Sequence, residues 1–123
     1  MSKHAIVHIE IPSKNLKKNS QFYHDLFGWK ISEVPDFNYA MFDPGEDARP
    51  GGGFPPVDGN LNKTDRLLIY VESNDIEADL KKAESLGGKT VMGKTEIPGQ
   101  GWFGVFTDPE GNTLALYTGL TPS

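Results

Sequence analysis

Two stretches of the chain alternate between apolar and mixed positions. Every second residue in 5–11 is apolar, and the residues between them, His8 and Glu10 included, form a mixed face. Residues 66–72 repeat this pattern, with Leu68 and Tyr70 on the mixed face. A period of two is typical of a strand with one buried face, so each stretch predicts a β-strand.

A helix is predicted after each of these strands. Residues 15–27 carry apolar side chains near a 3.6-residue period, with Ser13 or Asn15 as the cap and Gly28 at the end. In the second half Asn74 is the expected cap, because a Glu stands three residues later, and Gly87 closes the helix.

Three further strands are predicted after each helix. Residues 108–111, Asp-Pro-Glu-Gly, fit a type I turn that joins the last two strands. The predicted strands are 29–34, 37–42 and a weak one at 52–54 in the first half, and 89–96, 102–107 and 113–118 in the second.

The two halves therefore repeat one plan. Residues 27–31, FGWKI, align with residues 86–90, LGGKT, at the end of each helix. The predicted fold class is α+β, with two βαβββ repeats forming a curved eight-stranded mixed sheet around a cavity and the helices outside. The 123 residues form one predicted domain, with repeats at about 4–55 and 66–119 joined by a Pro/Gly-rich connector.

Composition narrows the class of protein. Hydrophobic residues make up 37% and charged residues 24%, which is typical of a globular chain, and there is no cysteine for a disulfide or a thiolate metal site. A net charge of −5 argues against nucleic-acid binding, and no apolar run reaches the length of a membrane helix. Without a signal-peptide pattern, the expected location is the cytoplasm.

Several motifs resemble the vicinal oxygen chelate superfamily, which includes glyoxalase I, bleomycin-resistance proteins and extradiol dioxygenases. They are IVHIEIP at 6–12, FY at 22–23, FGW at 27–29, DIE at 75–77, LGGK at 86–89 and TDPEGN at 107–112. GGGF at 51–54 and IPGQGWFG at 97–104 resemble its small stand-alone glyoxalase-like members. The resemblance implies the fold above and a homodimer.

The resemblance also implies where a divalent metal would bind. Its metal-dependent members place His, Glu or Gln on the first and fourth strands of each half. The corresponding positions here are His8, Gly52 or Gly53, Leu68 and Ala115, so His8 is the only ligand-type residue among them. A catalytic site typically needs about three protein ligands. No cofactor is therefore expected, with a divalent metal at His8 and Glu10 as the alternative.

The leading hypothesis is a metal-free small-molecule binding protein of the bleomycin-resistance type. The alternatives are a glyoxalase-like lyase, isomerase or dioxygenase that uses His8 as acid-base or metal ligand, and an interaction module with a vestigial cavity. A lone His on a mixed strand face is also compatible with a purely structural role. The predicted ligand-binding residues are His8, Glu10, Tyr39, Leu68, Tyr70, Trp102, Ala115 and Tyr117.

Overall fold

A computed structural model describes residues 4–34, 36–58, 61–63 and 66–120. The chain divides into two compact units, a first unit of residues 7–68 and a second unit of residues 69–123 with residues 1–6. Some of the predicted connector between the repeats, and residue 35, lie outside the described residues.

The described part of the first unit contains four strands and one helix. Strands β1 and β4 pair in parallel, and β2–β3 and β3–β4 pair antiparallel, in the order β2-β3-β4-β1. The elements are β1 (Ile6–Glu10), α1 (Leu16–Phe27), β2 (Lys30–Val34), β3 (Tyr39–Asp43) and β4 (Gly51–Phe54).

The second unit repeats this plan. Strand β5 pairs in parallel with β8, and β6, β7 and β8 are antiparallel neighbours, in the order β5-β8-β7-β6. The register of β6 shifts twice, between Thr90 and Met92 and between Met92 and Thr95. The elements are β5 (Leu68–Glu72), α2 (Ile76–Ser85), β6 (Lys89–Ile97), β7 (Gly101–Thr107) and β8 (Thr113–Gly119).

The α+β class and the twofold βαβββ plan are thus confirmed, with eight strands in mixed pairing and two helices among the described residues. The predicted turn at Asp108 is also present, because the Gly111 amide donates to the Asp108 carbonyl over 3.0 Å. Neither helix in the described part of the chain is long and apolar enough to cross a membrane.

The helix ends follow capping chemistry. Asn15 caps α1 by accepting a hydrogen bond from the Lys18 amide at 3.2 Å, and Gly28 ends it with φ 74°. The prediction that Asn74 caps α2 is wrong. Asp75 has the extended backbone of a cap and accepts from the Ala78 amide at 3.0 Å.

Strand β3 begins two residues later than predicted. Asp36 and Asn38 adopt φ values of 73° and 49°, and the three residues before Tyr39 form a turn. A left-handed backbone is incompatible with a strand, and Asp and Asn tolerate it better than most residues. The turn therefore makes Tyr39 the first residue of β3.

Each unit has its own apolar core on the helix side of its strands. In the first unit the buried residues are Ala40, Phe42 and Phe54, with Tyr23 and Trp29 stacked on the two phenylalanines. The second unit uses Ile76, Leu80 and Leu116 instead. These cores fix which strand faces point away from the helices.

Candidate functional site

Strand alternation places His8, Glu10 and Tyr39 on one face of the first unit. Ile11 packs on the core beside α1, so Glu10 and His8 point to the opposite face of β1. On β3, Ala40 and Phe42 belong to the core, which leaves Tyr39 on that same opposite face. The face predicted for all three residues is therefore correct.

The three side chains form one hydrogen-bonded group, which we call the His–Glu–Tyr cluster (His8, Glu10 and Tyr39). The Tyr39 hydroxyl donates to Glu10 Oε2 over 2.7 Å. His8 Nε2 lies 2.7 Å from the same oxygen and 3.4 Å from the Tyr39 hydroxyl. Two donors thus converge on a single carboxylate oxygen.

Burial explains why the carboxylate needs these partners. The Glu10 side chain is 11% exposed and that of His8 is 26% exposed. A carboxylate at such depth is costly unless it is hydrogen-bonded. Because an ionised carboxylate only accepts, Nε2 of His8 is the donor in this arrangement. A histidine oriented by a carboxylate is a typical hydrogen-bonding or proton-transfer group.

The predicted residues of β5 and β8 are less polar. Tyr70 is in register with Ala115, and Leu68 and Ala115 are 2% and 0% exposed. The Tyr117 hydroxyl donates to the Gln100 carbonyl over 3.1 Å. The positions predicted from β5 and β8 are therefore aromatic or apolar, and two of them are fully buried.

The face predicted for Trp102 is wrong. Trp102 and Phe106 pack on the core cluster formed by Ile76, Leu80 and Leu116, on the helix side of β7. The sequence of β7 is apolar on both faces, so it has no alternation to indicate which side is buried. Lys94 Nζ lies over the indole ring of Trp102, 5.3 Å from the ring centre.

The donor set does not fit the divalent metal site implied by the resemblance. Among the described residues, no three His, Cys, Asp or Glu side chains lie close enough to share a metal ion. At Gly53, a Cβ atom would lie 1.8 Å from the Tyr39 hydroxyl, so the phenol occupies the space of a side chain there. Tyr39 and Gly53 are the part of this site that sequence reasoning did not connect.

A concave surface of about 490 Å³ lies in the first unit at the N-terminal end of α1. Lys14 and Lys17 line it from the helix end, and Glu33 and Asp36 from the β2–β3 hairpin. The opposite charges give this surface no net preference for an anion.

A polar network in the second unit was not predicted. Asp79 on α2 accepts hydrogen bonds from the Ser73 hydroxyl at 2.6 Å and from His4 Nε2 at 3.0 Å. Burial acts to raise the pKa of Asp79, but these hydrogen bonds and the charges of His4 and Lys82 outweigh it, so its pKa lies below the usual 3.8. This network joins the N-terminal residues to α2.

Comparison with known proteins identifies the family. Residues 5–116 match the model of the Glyoxalase/Bleomycin resistance protein/Dioxygenase superfamily. The chain belongs to this superfamily. A glyoxylase-like domain-containing protein of Didymella fabae is 28% identical over 116 residues, which cover 89% of this chain and 90% of that protein.

Other proteins similar to this chain are more distant or longer. The anthracycline biosynthesis protein DauV of Streptomyces sp. (strain C5) is 25% identical over 134 residues, covering 88% of this chain but 44% of that protein. The Mn(II)-bound glyoxalase of Novosphingobium aromaticivorans has a TM-score of 0.66 at 20% identity, covering 94% of this chain and 39% of that one. This chain therefore spans less than half the length of these two proteins, and the structural likeness shows the shared fold.

Proposed function

We propose that this protein binds a small organic molecule on the strand face that carries the His–Glu–Tyr cluster, and that it does so without a catalytic metal ion. The observation that carries the proposal is the convergence of His8 and Tyr39 on one Glu10 oxygen, both at 2.7 Å. A fixed group of this kind supplies a few oriented polar contacts, which is how small-molecule sites obtain specificity.

The surroundings of the cluster supply apolar contact area. Met41 follows Tyr39 on the same face of β3 and is 43% exposed. We expect a ligand with a flat or hydrophobic body and one or two hydrogen-bonding groups.

A thermal-shift screen tests this proposal. A ligand present at about 100 times its Kd stabilises the folded state by about 2.7 kcal/mol, so aromatic and hydrophobic compounds should raise Tm. The increase should fall in His8→Ala and persist in His24→Ala, because His24 lies on exposed α1 and bonds the Trp29 carbonyl. A broad library that leaves Tm unchanged, or an increase that survives His8→Ala, would contradict the proposal.

A second candidate is an enzyme of glyoxalase type that uses His8 as an acid-base group. The short His8–Glu10 contact favours it, because the carboxylate orients the imidazole for proton transfer. The names of the relatives, which include a glyoxalase, support the same reaction class. The test is hydrogen–deuterium exchange at the acidic C–H of candidate substrates, which should be lost in His8→Ala.

Metal content separates the two candidates further. Elemental analysis of protein purified without chelators or affinity metal should find no stoichiometric divalent ion if the first proposal is right. Zn, Ni, Mn or Fe at one equivalent, lost on His8→Ala, would instead favour a metal-dependent glyoxalase and overturn the metal-free binding protein.

The proposal extends to the state of the protein in the cell. We propose a single-domain homodimer in the cytoplasm, supported by the superfamily resemblance and by the globular, cysteine-free composition. Sedimentation equilibrium tests the dimer, and a monomer at all concentrations would contradict it.

A further inference from the structure

Gly53 lies between two side chains of the candidate site. It is in register with Glu10 on β1 and with Met41 on β3, so the three residues form a row across the strands of the first unit. Tyr39 precedes Met41 by two residues and shares its face. To reach Glu10 on β1 from β3, the Tyr39 side chain crosses over Gly53.

The absence of a side chain at Gly53 makes this crossing feasible. A Cβ atom built there would lie 1.8 Å from the Tyr39 hydroxyl oxygen and 2.2 Å from the ring carbon Cζ. Both distances are far below van der Waals contact. The phenol and any side chain at position 53 are therefore mutually exclusive.

The neighbouring glycine has a different role. A Cβ at Gly52 would lie 1.8 Å from the Ile9 carbonyl oxygen, which is backbone in the parallel partner strand. Gly52 is required for β4 to approach β1, whereas Gly53 is required only by the far end of a side chain that is able to swing away. A glycine is therefore needed at position 52 for strand pairing and at position 53 for the placement of the Tyr39 side chain.

We propose that Gly53 and Tyr39 act as a pair that sets the specificity of the site, with Tyr39 as the positioning residue for Glu10 and His8. The open position at Gly53 admits the phenol, the phenol holds Glu10 Oε2, and Glu10 orients the His8 ring over 2.7 Å. The effect of this Gly53–Tyr39 pair on ligand choice rests on the proposed function. The hydrogen-bonded pair itself needs no ligand.

Ligand-free NMR tests the pair directly. Long-range ¹H–¹⁵N spectra report the tautomer and hydrogen bonding of each histidine ring, and His8→Gln assigns the His8 signals. We expect Tyr39→Phe and Gly53→Ala to change the ¹⁵N chemical shifts of the His8 ring in the same direction, because both variants remove the Tyr39 hydroxyl from Glu10. Unchanged His8 signals in either variant would overturn the proposal.

Matched controls are available in the chain. Tyr23→Phe removes a hydroxyl on the helix side of the same unit, and Gly93→Ala adds a methyl group where nothing lies within 4 Å. Both should leave the His8 spectrum unchanged. Gly53→Ala should also lower Tm less than Gly52→Ala, because the phenol yields and the Ile9 carbonyl does not. A larger loss of Tm at Gly53 would count against the pair.

A double variant shows whether Gly53 acts through Tyr39. In a Tyr39→Ala background, adding Gly53→Ala should cause no further change at His8, since the phenol is already gone. A further change of the same size as in the wild type would show an independent effect and overturn the pairing.

Ligand binding is measured separately, so the two proposals fail separately. If no compound raises the wild-type Tm, the binding function fails while the His8 spectra still decide whether the pair exists. If a compound does bind, its Kd should rise at least fivefold in Tyr39→Phe and in Gly53→Ala, and stay within twofold in both controls. Equal Kd values in all variants would overturn the specificity role.

Discussion

The first unit, residues 7–68, and the second unit, residues 69–123 with 1–6, follow one strand plan but differ in where a carboxylate collects hydrogen bonds, on a strand in one and on the helix in the other. In the first unit the hydrogen-bonded carboxylate is the buried Glu10, on the strand face away from α1, whereas the half-buried Asp79 of the second unit lies on its helix. In the second unit the polar network centres on Asp79 of α2, and the corresponding strand face carries buried Ala115. The two units thus share one strand order, whereas the positions of their hydrogen-bonded carboxylates depend on individual residues.

The cores of the two units differ as well. The first unit stacks aromatic rings, with 4.4 Å between the centres of Trp29 and Phe42 and 5.4 Å between Tyr23 and Phe54. The second unit packs aliphatic Ile76 and Leu80 from α2. This aromatic layer packs behind β3 and β4, the strands that carry Tyr39 and Gly53.

The largest expected effect comes from removing a ring in the first core. Phe54 is fully buried between Tyr23 and Phe42, so Phe54→Ala should lower the free energy of unfolding by about 3–5 kcal/mol. Urea denaturation measures the change. Leu80→Ala in the second core should cost about 2–5 kcal/mol.

The matched control is Phe37→Ala. Phe37 is 71% exposed in the turn before β3, and the substitution should change the free energy of unfolding by less than about 0.5 kcal/mol. A similar loss for Phe37 and Phe54 would show that the aromatic layer does not set the stability of the first unit.

Acid titration tests the polar network of the second unit. Because the folded-state pKa of Asp79 is lowered, its contribution to stability is present above the unfolded value of about 4 and is lost as the pH falls through the lower folded value. The stability difference between the wild type and Asp79→Asn should thus shrink below pH 4, as measured by urea unfolding at several pH values.

Asp47→Asn, in an exposed loop of the first unit, is the control and should show no such narrowing. Ser73→Ala should weaken the pH dependence, because the Ser73 hydroxyl is one of the donors that lower the pKa of Asp79. A constant difference between wild type and Asp79→Asn from pH 3 to 7 would contradict this account.

The smallest effect compares the two helix caps. Asn15→Ala and Asp75→Ala should each cost about 1 kcal/mol, since each side chain satisfies one amide in the first turn. Asn74→Ala should cost less than Asp75→Ala, because Asp75 is the cap. Thermal unfolding of the three variants measures these losses of stability. A larger loss for Asn74→Ala than for Asp75→Ala would indicate that Asn74 is the cap.

Much of the fold could be predicted from the sequence because β1 and β5 alternate clearly with a period of two, with one apolar face and one mixed face. The same rule placed His8, Glu10 and Tyr70 on the expected faces. Alternation gave no information at β7, because Trp102 and its neighbours make both faces of this strand apolar. Left-handed Asp36 and Asn38 shortened β3 for reasons set by the local turn.

The Gly53–Tyr39 contact was beyond sequence reasoning for a different reason. It joins residues on separate strands, and its existence depends on the register of β3 and β4. Residue identity alone indicated that Gly53 lacks a ligand atom, but the register was needed to see what fills its place.

The two register shifts in β6 have a consequence for behaviour at high concentration. β6 is the outermost strand of the second unit, and an outer strand with regular backbone spacing is a template for other chains. Each shift interrupts that spacing, and exposed Lys89 and Lys94 add charge along the strand. Deleting one residue at a register shift would make the backbone spacing of β6 regular, and we expect the protein to associate more readily through this strand.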